Sequence, residues 1–215
     1  VTYTAKDLTF NEEQHLYTLP DGTIPPSVTE ILSATGVSTD FNRLSDVNPR
    51  LAGQIEARRA LGTAVHKDAH ALDDDDLVWD RTNNKVKPYL LAWMTCKENL
   101  GLTPVARERV LYHPTLRYAG TMDGVFSVRD ECLVLVDLKI GSAEDAAAHL
   151  QTALYWLAYE QDRPAQMPTR RWAIELDPGR RVPYKLVRYE NYDDFNKARA
   201  VVTTYYEQPA RRFRR

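Results

Sequence analysis

"CLVLVDLKIG", residues 132–141, decides the fold. Val134, Leu135 and Val136 make an apolar, β-branched run of the kind that fills a sheet interior. The run ends by setting Asp137 and Lys139 two positions apart, and side chains two apart on a strand share a face. Ionisable groups beside a core are costly to desolvate, so the pattern needs a chemical reason. Two more strand-like runs precede it, Val105–Tyr112 and Arg117–Val128, joined by the short turn-prone stretches "HPTL" and "RDE". Counting back from the turn between Val128 and Cys132 sets Asp123 opposite Asp137. Counting back from a turn at Thr115 and Leu116 sets Glu108 opposite Asp123. Three carboxylates on three strands then form one row, a register that a one-residue slip at either turn would destroy.

Carboxylates in a row repel one another unless a cation lies among them, and hard oxygen donors suit Mg²⁺ or Mn²⁺ better than zinc. The Leu138 backbone carbonyl offers a further oxygen. Lys139, on the Asp137 face, is suited to orient a water, help remove its proton and stabilise developing negative charge. A lone D-x-K is usually just the polar end of a strand. The aligned row makes this one a candidate metal site.

The rest of the chain supplies a frame for that strand. Its 215 residues suit one domain, and 43% hydrophobic with 27% charged residues is ordinary for a soluble globular protein. No apolar stretch reaches membrane-spanning length and no secretory signal pattern opens the chain, which leads us to expect a cytoplasmic, membrane-free protein. Cys96 and Cys132 form no C-x-x-C pair, against a disulfide scaffold or a four-cysteine metal site. A formal net charge of −2 means that any nucleic-acid surface is local.

Near the N-terminus we expect a hairpin turning at Pro20-Asp21-Gly22 and a short helix with Ser27 and Glu30 at capping-box spacing, stopping at Gly36. A long helix covers about Leu51 to Leu72, followed by an acidic, solvated loop at Asp73–Asp76. Another helix opens at Pro88 and stops near Gly101. After the three strands come a helix over about Glu144 to Glu160 capped by Ser142, two strands flanking Pro178-Gly179, and a last helix over about Asp193 to Glu207. The expected architecture is an α/β sandwich with a mixed sheet, built on an antiparallel meander and flanked by helices.

Four separated motifs then resemble the PD-(D/E)XK nuclease superfamily, in particular its RecB-like branch, which includes the mitochondrial genome maintenance exonuclease and, more distantly, lambda-type exonuclease. "GTAVH" (62–66) is similar to the helical G-x-x-x-H motif, "AGTMDGVF" (119–126) to the G-x-x-D strand, "VLVDLK" (134–139) to the D-x-K strand, and "QTALY" (151–155) to the Q-x-x-x-Y helix. Each is weak alone; their order and spacing are specific. The resemblance implies a restriction-endonuclease-like α/β/α core. In it Asp123 and Asp137 bind one or two Mg²⁺ or Mn²⁺ ions and Lys139 is catalytic. His66 serves a metal, Glu108 supports the ions, and Gln151 and Tyr155 contact DNA or brace the site.

By the same resemblance the whole chain is one nuclease domain, with an accessory hairpin and helix over 1–50, a catalytic core over 51–161, and strands, helix and basic tail over 162–215. The implied activity is a DNA exonuclease acting on free ends of single- or double-stranded DNA and leaving 5′-phosphates. By analogy it serves recombination, repair or replication in a bacterial or virus-infected cell, alone, as a homo-oligomer or with a recombination partner. Met122 stands where the family's proline would be and Ile140 where a threonine is frequent. Arg58-Arg59, Arg170-Arg171, Arg180-Arg181 and the terminal "RRFRR" are candidates for a phosphate groove, with Phe213, Tyr89 or Trp93 for base stacking. His66 and His70, one helical turn apart, would pair on zinc only with a third ligand that the sequence does not identify. A structure-specific endonuclease and a non-catalytic nucleic-acid-binding protein are the competing readings.

Overall fold

A computed structural model describes residues 3–12, 14–38, 49–141 and 147–208. Strands β1 (Thr9–Asn11) and β2 (Leu16–Thr18) form a small hairpin, followed by α1 (Val28–Ala34), α2 (Pro49–Asp73) and α3 (Lys87–Leu100). Then come β3 (Leu102–His113), β4 (Tyr118–Val128), β5 (Cys132–Lys139), α4 (Ala148–Gln161), β6 (Arg170–Leu176), β7 (Tyr184–Tyr189) and α5 (Asp193–Glu207). The main sheet runs β3-β4-β5-β6-β7, antiparallel except for the parallel pair β5–β6, which α4 connects. It is a mixed sheet, as expected.

The sheet is buried on both faces, which explains why β5 is almost continuously apolar. Val134, Val136 and Leu138 pack with Trp172 and Ile174 against α2 and α3, through Val65, Leu90 and Trp93. Leu135 points the other way, joining Leu111, Met122 and Val125 against α1, α4 and α5. Helix α3 closes on Gly101, whose φ of 64° lies in the left-handed region that glycine tolerates best.

The hairpin registers match the count from the turns. β4 and β5 pair from Val128↔Cys132 to Gly124↔Val136, so Asp123 and Asp137 come next in line. On β3 and β4 the pairs Arg107↔Gly124 and Arg109↔Met122 bracket Glu108 and Asp123, whose own pair is skipped. Here the strands kink. Glu108 has φ 40°, and Met122 and Val125 enter the same core cluster although strict alternation would put them on opposite faces.

Two local expectations change. The N-terminal hairpin is the β1–β2 pair, Thr9–Asn11 against Leu16–Thr18; Pro20–Gly22 is instead a tight turn after β2, closed by Leu19 N–H to Thr23 O at 2.8 Å. Asp73 is not part of a solvated loop. Its carboxylate accepts the Trp93 Nε1–H and pairs with Lys97, while Arg107 binds its carbonyl and pairs with Asp74. The Asp73 side chain is only 3% exposed, because it satisfies the buried indole. The expected cap Ser142 lies outside the described residues; Ser27 does cap α1, accepting the Glu30 N–H at 3.0 Å.

His113, where β3 turns toward β4, is buried, and its Nδ1 accepts the Leu116 N–H at 3.2 Å, which requires a neutral ring. Burial, helped by Arg199, lowers its pKa from 6.5 to about 4. The unfolded chain therefore takes up a proton near pH 6.5 that the folded chain refuses until about pH 4, so this residue costs stability as pH falls through that window. His113→Asn keeps an acceptor and removes the titration. It is expected to spare on the order of 2–3 kcal/mol of the stability lost between pH 7 and 4. Urea midpoints at the two pH values check this, and parallel losses in wild type and variant would contradict it.

Candidate functional site

The middle of β4, at Asp123, and the C-terminal end of β5 meet α2 on one side and α4 on the other, through His66 and Gln151. Asp123 receives two contacts: the Leu138 N–H donates to Oδ2 at 2.6 Å, and His66 Nδ1 of α2 lies 3.2 Å from Oδ1. Thus Asp123 accepts a backbone N–H of β5 through its side chain, just where the ladder stops. On the α4 side, Asp137 Oδ2 lies 2.9 Å from Lys139 Nζ, which donates to Gln151 Oε1 at 2.9 Å. Gln151 Nε2 in turn donates to the Tyr155 hydroxyl at 3.3 Å. The four motifs, far apart in sequence, meet here.

The charges are strongly coupled. Asp137 is 3% exposed, and burial, reinforced by repulsion from Asp123, pushes its pKa up to about 6 against the pull of Lys139. Burial also raises Asp123, but His66, the Leu138 N–H and Lys139 outweigh it and hold this carboxyl below its ordinary value. His66 shows the converse: burial disfavours its charge, and Asp123 lifts its pKa above the usual imidazole value.

The expected residues fall into four groups. His66, Asp123, Asp137 and Lys139 come together. Gln151 and Tyr155 join them through Lys139, so their visible role is bracing. Arg58 reaches the exit of β5, its Nη2 donating to the Ile140 carbonyl at 3.3 Å, whereas Arg59 is exposed on α2. Glu108 takes its place in the register, yet its carboxylate lies 3.7 Å from His70 Nε2, so it approaches the site through that imidazole. The row of three carboxylates is broken by the kink. His70 is the member that sequence reasoning left without a third ligand: one ligand atom from each of His66, His70 and Asp123 lies within 4.8 Å of the other two.

Other candidates do different work. Gly62, of the G-x-x-x-H motif, stands in open space, since a Cβ there would meet nothing within 4 Å. Trp93 is buried and bonded to Asp73, which leaves no face for a base. Arg171 is buried in an ion pair with Asp194 at 2.8 Å and bonds the His149 and Asn191 carbonyls, tying the start of α5 to the sheet. Arg180 pairs with Glu175 and Asp177. The terminal basic run and Phe213 lie outside the described residues.

Gly120, in the G-x-x-D strand, has a packing reason. A Cβ there would sit 2.8 Å from Tyr155 Cε1 and 3.1 Å from Val28 Cγ2. Gly120→Ala is expected to cost about 1–3 kcal/mol by overpacking. It should also push Tyr155 off Gln151. A variant with wild-type melting temperature would remove this account.

A family model of the PD-(D/E)XK nuclease superfamily matches residues 41–214. The chain belongs to the PD-(D/E)XK nuclease superfamily. This nuclease is therefore a hydrolase with a nucleic-acid substrate, of a family that uses divalent metals. The donor set fits such an ion: His66, His70 and Asp123 offer ligand atoms within 4.8 Å of one another, and the buried Asp137, next in line across from Asp123, has an Oδ2 with an ion-pair partner but no hydrogen bond of good geometry. A comparison with curated proteins gave no match. No helix among the described residues of this nuclease is long and apolar enough to cross a membrane.

Proposed function

We propose that the protein is a divalent-metal-dependent DNA exonuclease of the RecB-like branch, acting in recombination, repair or replication. The observation that carries this reading is the bond from Lys139 to Gln151 at 2.9 Å, which joins the D-x-K strand to the Q-x-x-x-Y helix beside Asp123 and His66. We take the chain as a single nuclease domain, in which the hairpin and α1 form an accessory layer.

In this reading Asp123, Asp137 and His66, with the Leu138 carbonyl, hold one or two Mg²⁺ or Mn²⁺ ions, and Glu108 supports them through His70. The bound metal supplies Lewis-acid polarisation of the phosphate and stabilises the leaving oxygen. Lys139, steered by Asp137 and Gln151, orients the attacking water and offsets negative charge growing on the phosphate. Tyr155 and Gln151 restrict the ammonium to one position, so less ordering is needed when substrate arrives. Arg58, which donates to the Ile140 carbonyl, would offer positive charge to a phosphate backbone passing the end of β5, and Arg59 follows it on α2. The water oxygen bonds to phosphorus, the P–O3′ bond breaks, and the products carry a 5′-phosphate and a 3′-hydroxyl.

The test compares end-labelled linear DNA, single- and double-stranded, with covalently closed circular DNA in Mg²⁺, Mn²⁺ or EDTA. Metal-dependent shortening from an end with circles left intact is the expected result. Cutting of closed circles would make the protein an endonuclease, and binding without cleavage in any metal would remove the enzymatic reading.

A further inference from the structure

We propose that His70 is a second imidazole ligand of the catalytic cation and biases the site toward a first-row transition-metal dication such as Mn²⁺ over Mg²⁺. This rests on the metal-dependent nuclease reading above and goes beyond it by naming the ion class and the residue that selects it.

Three observations converge on His70. It follows His66 by one turn of α2, so both imidazoles project toward β4 from the same helix face. One ligand atom from each of His66, His70 and Asp123 lies within 4.8 Å of the other two. Donors sharing one octahedral ion at about 2.1 Å stand about 3–4 Å apart, so modest side-chain adjustment would close the set. Finally, the two ring nitrogens of His70 differ. Nε2 lies 3.7 Å from Glu108 Oε1, and Nδ1 is buried without a hydrogen-bond partner. A ligating histidine whose other nitrogen faces a carboxylate is the usual arrangement at metal centres, because the carboxylate orients the ring and raises its basicity.

The surroundings favour a ligand role for His70. It shares a small cavity with Asp123 whose remaining wall includes Ala69, Trp93, Phe126 and Leu138. Apolar walls give a water there few partners. Asp73, the other acid in that wall, is taken by Trp93 and Lys97.

Donor chemistry then sets the preference. Mg²⁺ favours oxygen and sheds water reluctantly, whereas nitrogen donors strengthen binding along the first-row series. His66 alone adds one nitrogen to an otherwise oxygen site. His70 adds a second, giving two imidazoles with Asp123 and Asp137 beside them. Glu108, expected from sequence to support the ions, would do so through His70: it has a left-handed backbone at the kink and its carboxylate lies 3.7 Å from that ring.

The experiment loads the full chain with Mn²⁺ and counts coordinated ¹⁴N nuclei by pulsed EPR. The free-Mn²⁺ EPR signal is then followed during Mg²⁺ competition. Wild type is expected to show two nitrogens and His70→Gln one, with the preference for Mn²⁺ over Mg²⁺ falling at least about tenfold. The wild-type count needs no variant, and circular dichroism checks that His70→Gln and His66→Gln fold. One nitrogen in wild type, lost in His66→Gln and kept in His70→Gln with unchanged preference, would overturn the role of His70 and leave the nuclease reading standing. No coordinated nitrogen, with Mn²⁺ binding indifferent to Asp123→Asn, would overturn both.

Discussion

Lys139→Met is expected to lower the hydrolysis rate at saturating metal and DNA by about 10²–10³-fold or more, while cation binding persists. The side chain lies between Asp137 and Gln151, 2.9 Å from each, and is only partly exposed. Its charge is thus held where it can act on a water and on a phosphate, and the anchors limit the reorganisation that charge development would otherwise demand. Methionine has similar length and no charge, so the packing along the stem is kept. The effect should fall on kcat more than on KM, because the ammonium matters most where negative charge grows. Lys139→Arg should not restore the rate: a planar guanidinium cannot occupy the space of a compact ammonium gripped by two oxygens. Single-turnover cleavage of linear DNA, with calorimetric measurement of cation binding, provides the check. A Lys139→Met protein retaining more than about a tenth of wild-type turnover would move the chemistry elsewhere.

The second large effect concerns stability. Asp123 and Asp137 place two carboxylates beside one another, with Asp137 3% exposed, and a dication binding only the folded form should stabilise it. At a hundred times its dissociation constant an ion contributes about 2.7 kcal/mol. For a chain of this size that corresponds to a melting-temperature rise of roughly 5–10 °C. Asp123→Asn is expected to abolish the rise, since the amide keeps the shape and can still accept the Leu138 N–H but lacks the charge. Differential scanning calorimetry with and without Mn²⁺ measures both quantities. If the ion raised the melting temperature equally in Asp123→Asn and wild type, it would be binding somewhere other than at this pair.

Much of the site is legible in the sequence because it depends on local geometry. The turn after Val128 sets which residue of β4 faces which residue of β5, and strand periodicity carries that register to Asp123 and Asp137 without knowledge of the fold. The spacing of Asp137 and Lys139 likewise puts them on one face. Gln151 and Tyr155, four apart on α4, are neighbours by helical geometry alone.

Glu108 marks the limit of such reasoning. Its register position follows from the β3–β4 turn, but the kink at φ 40° turns its carboxylate toward His70. Alternation along a strand does not anticipate a break in itself. The helix α2 supplies the other lesson: whether His70 reaches Asp123, and whether Asp73 is solvated, depends on how α2 lies across the sheet. Arg171 is similar; in sequence it is one of a pair of surface-like arginines, and in the fold it is a buried tie between β6 and α5.

The sequence by itself determined the strand register that sets Asp123 and Asp137 next to each other, the lysine beside them, and the helix pair that braces it, because each follows from turn length or a fixed helical or strand period. Only the tertiary structure decided that His66 and His70 approach Asp123, that Glu108 stands behind His70, and that several candidate DNA contacts are spent on holding the fold. Those choices are made by packing between elements distant in the chain, where neither period nor turn length carries information.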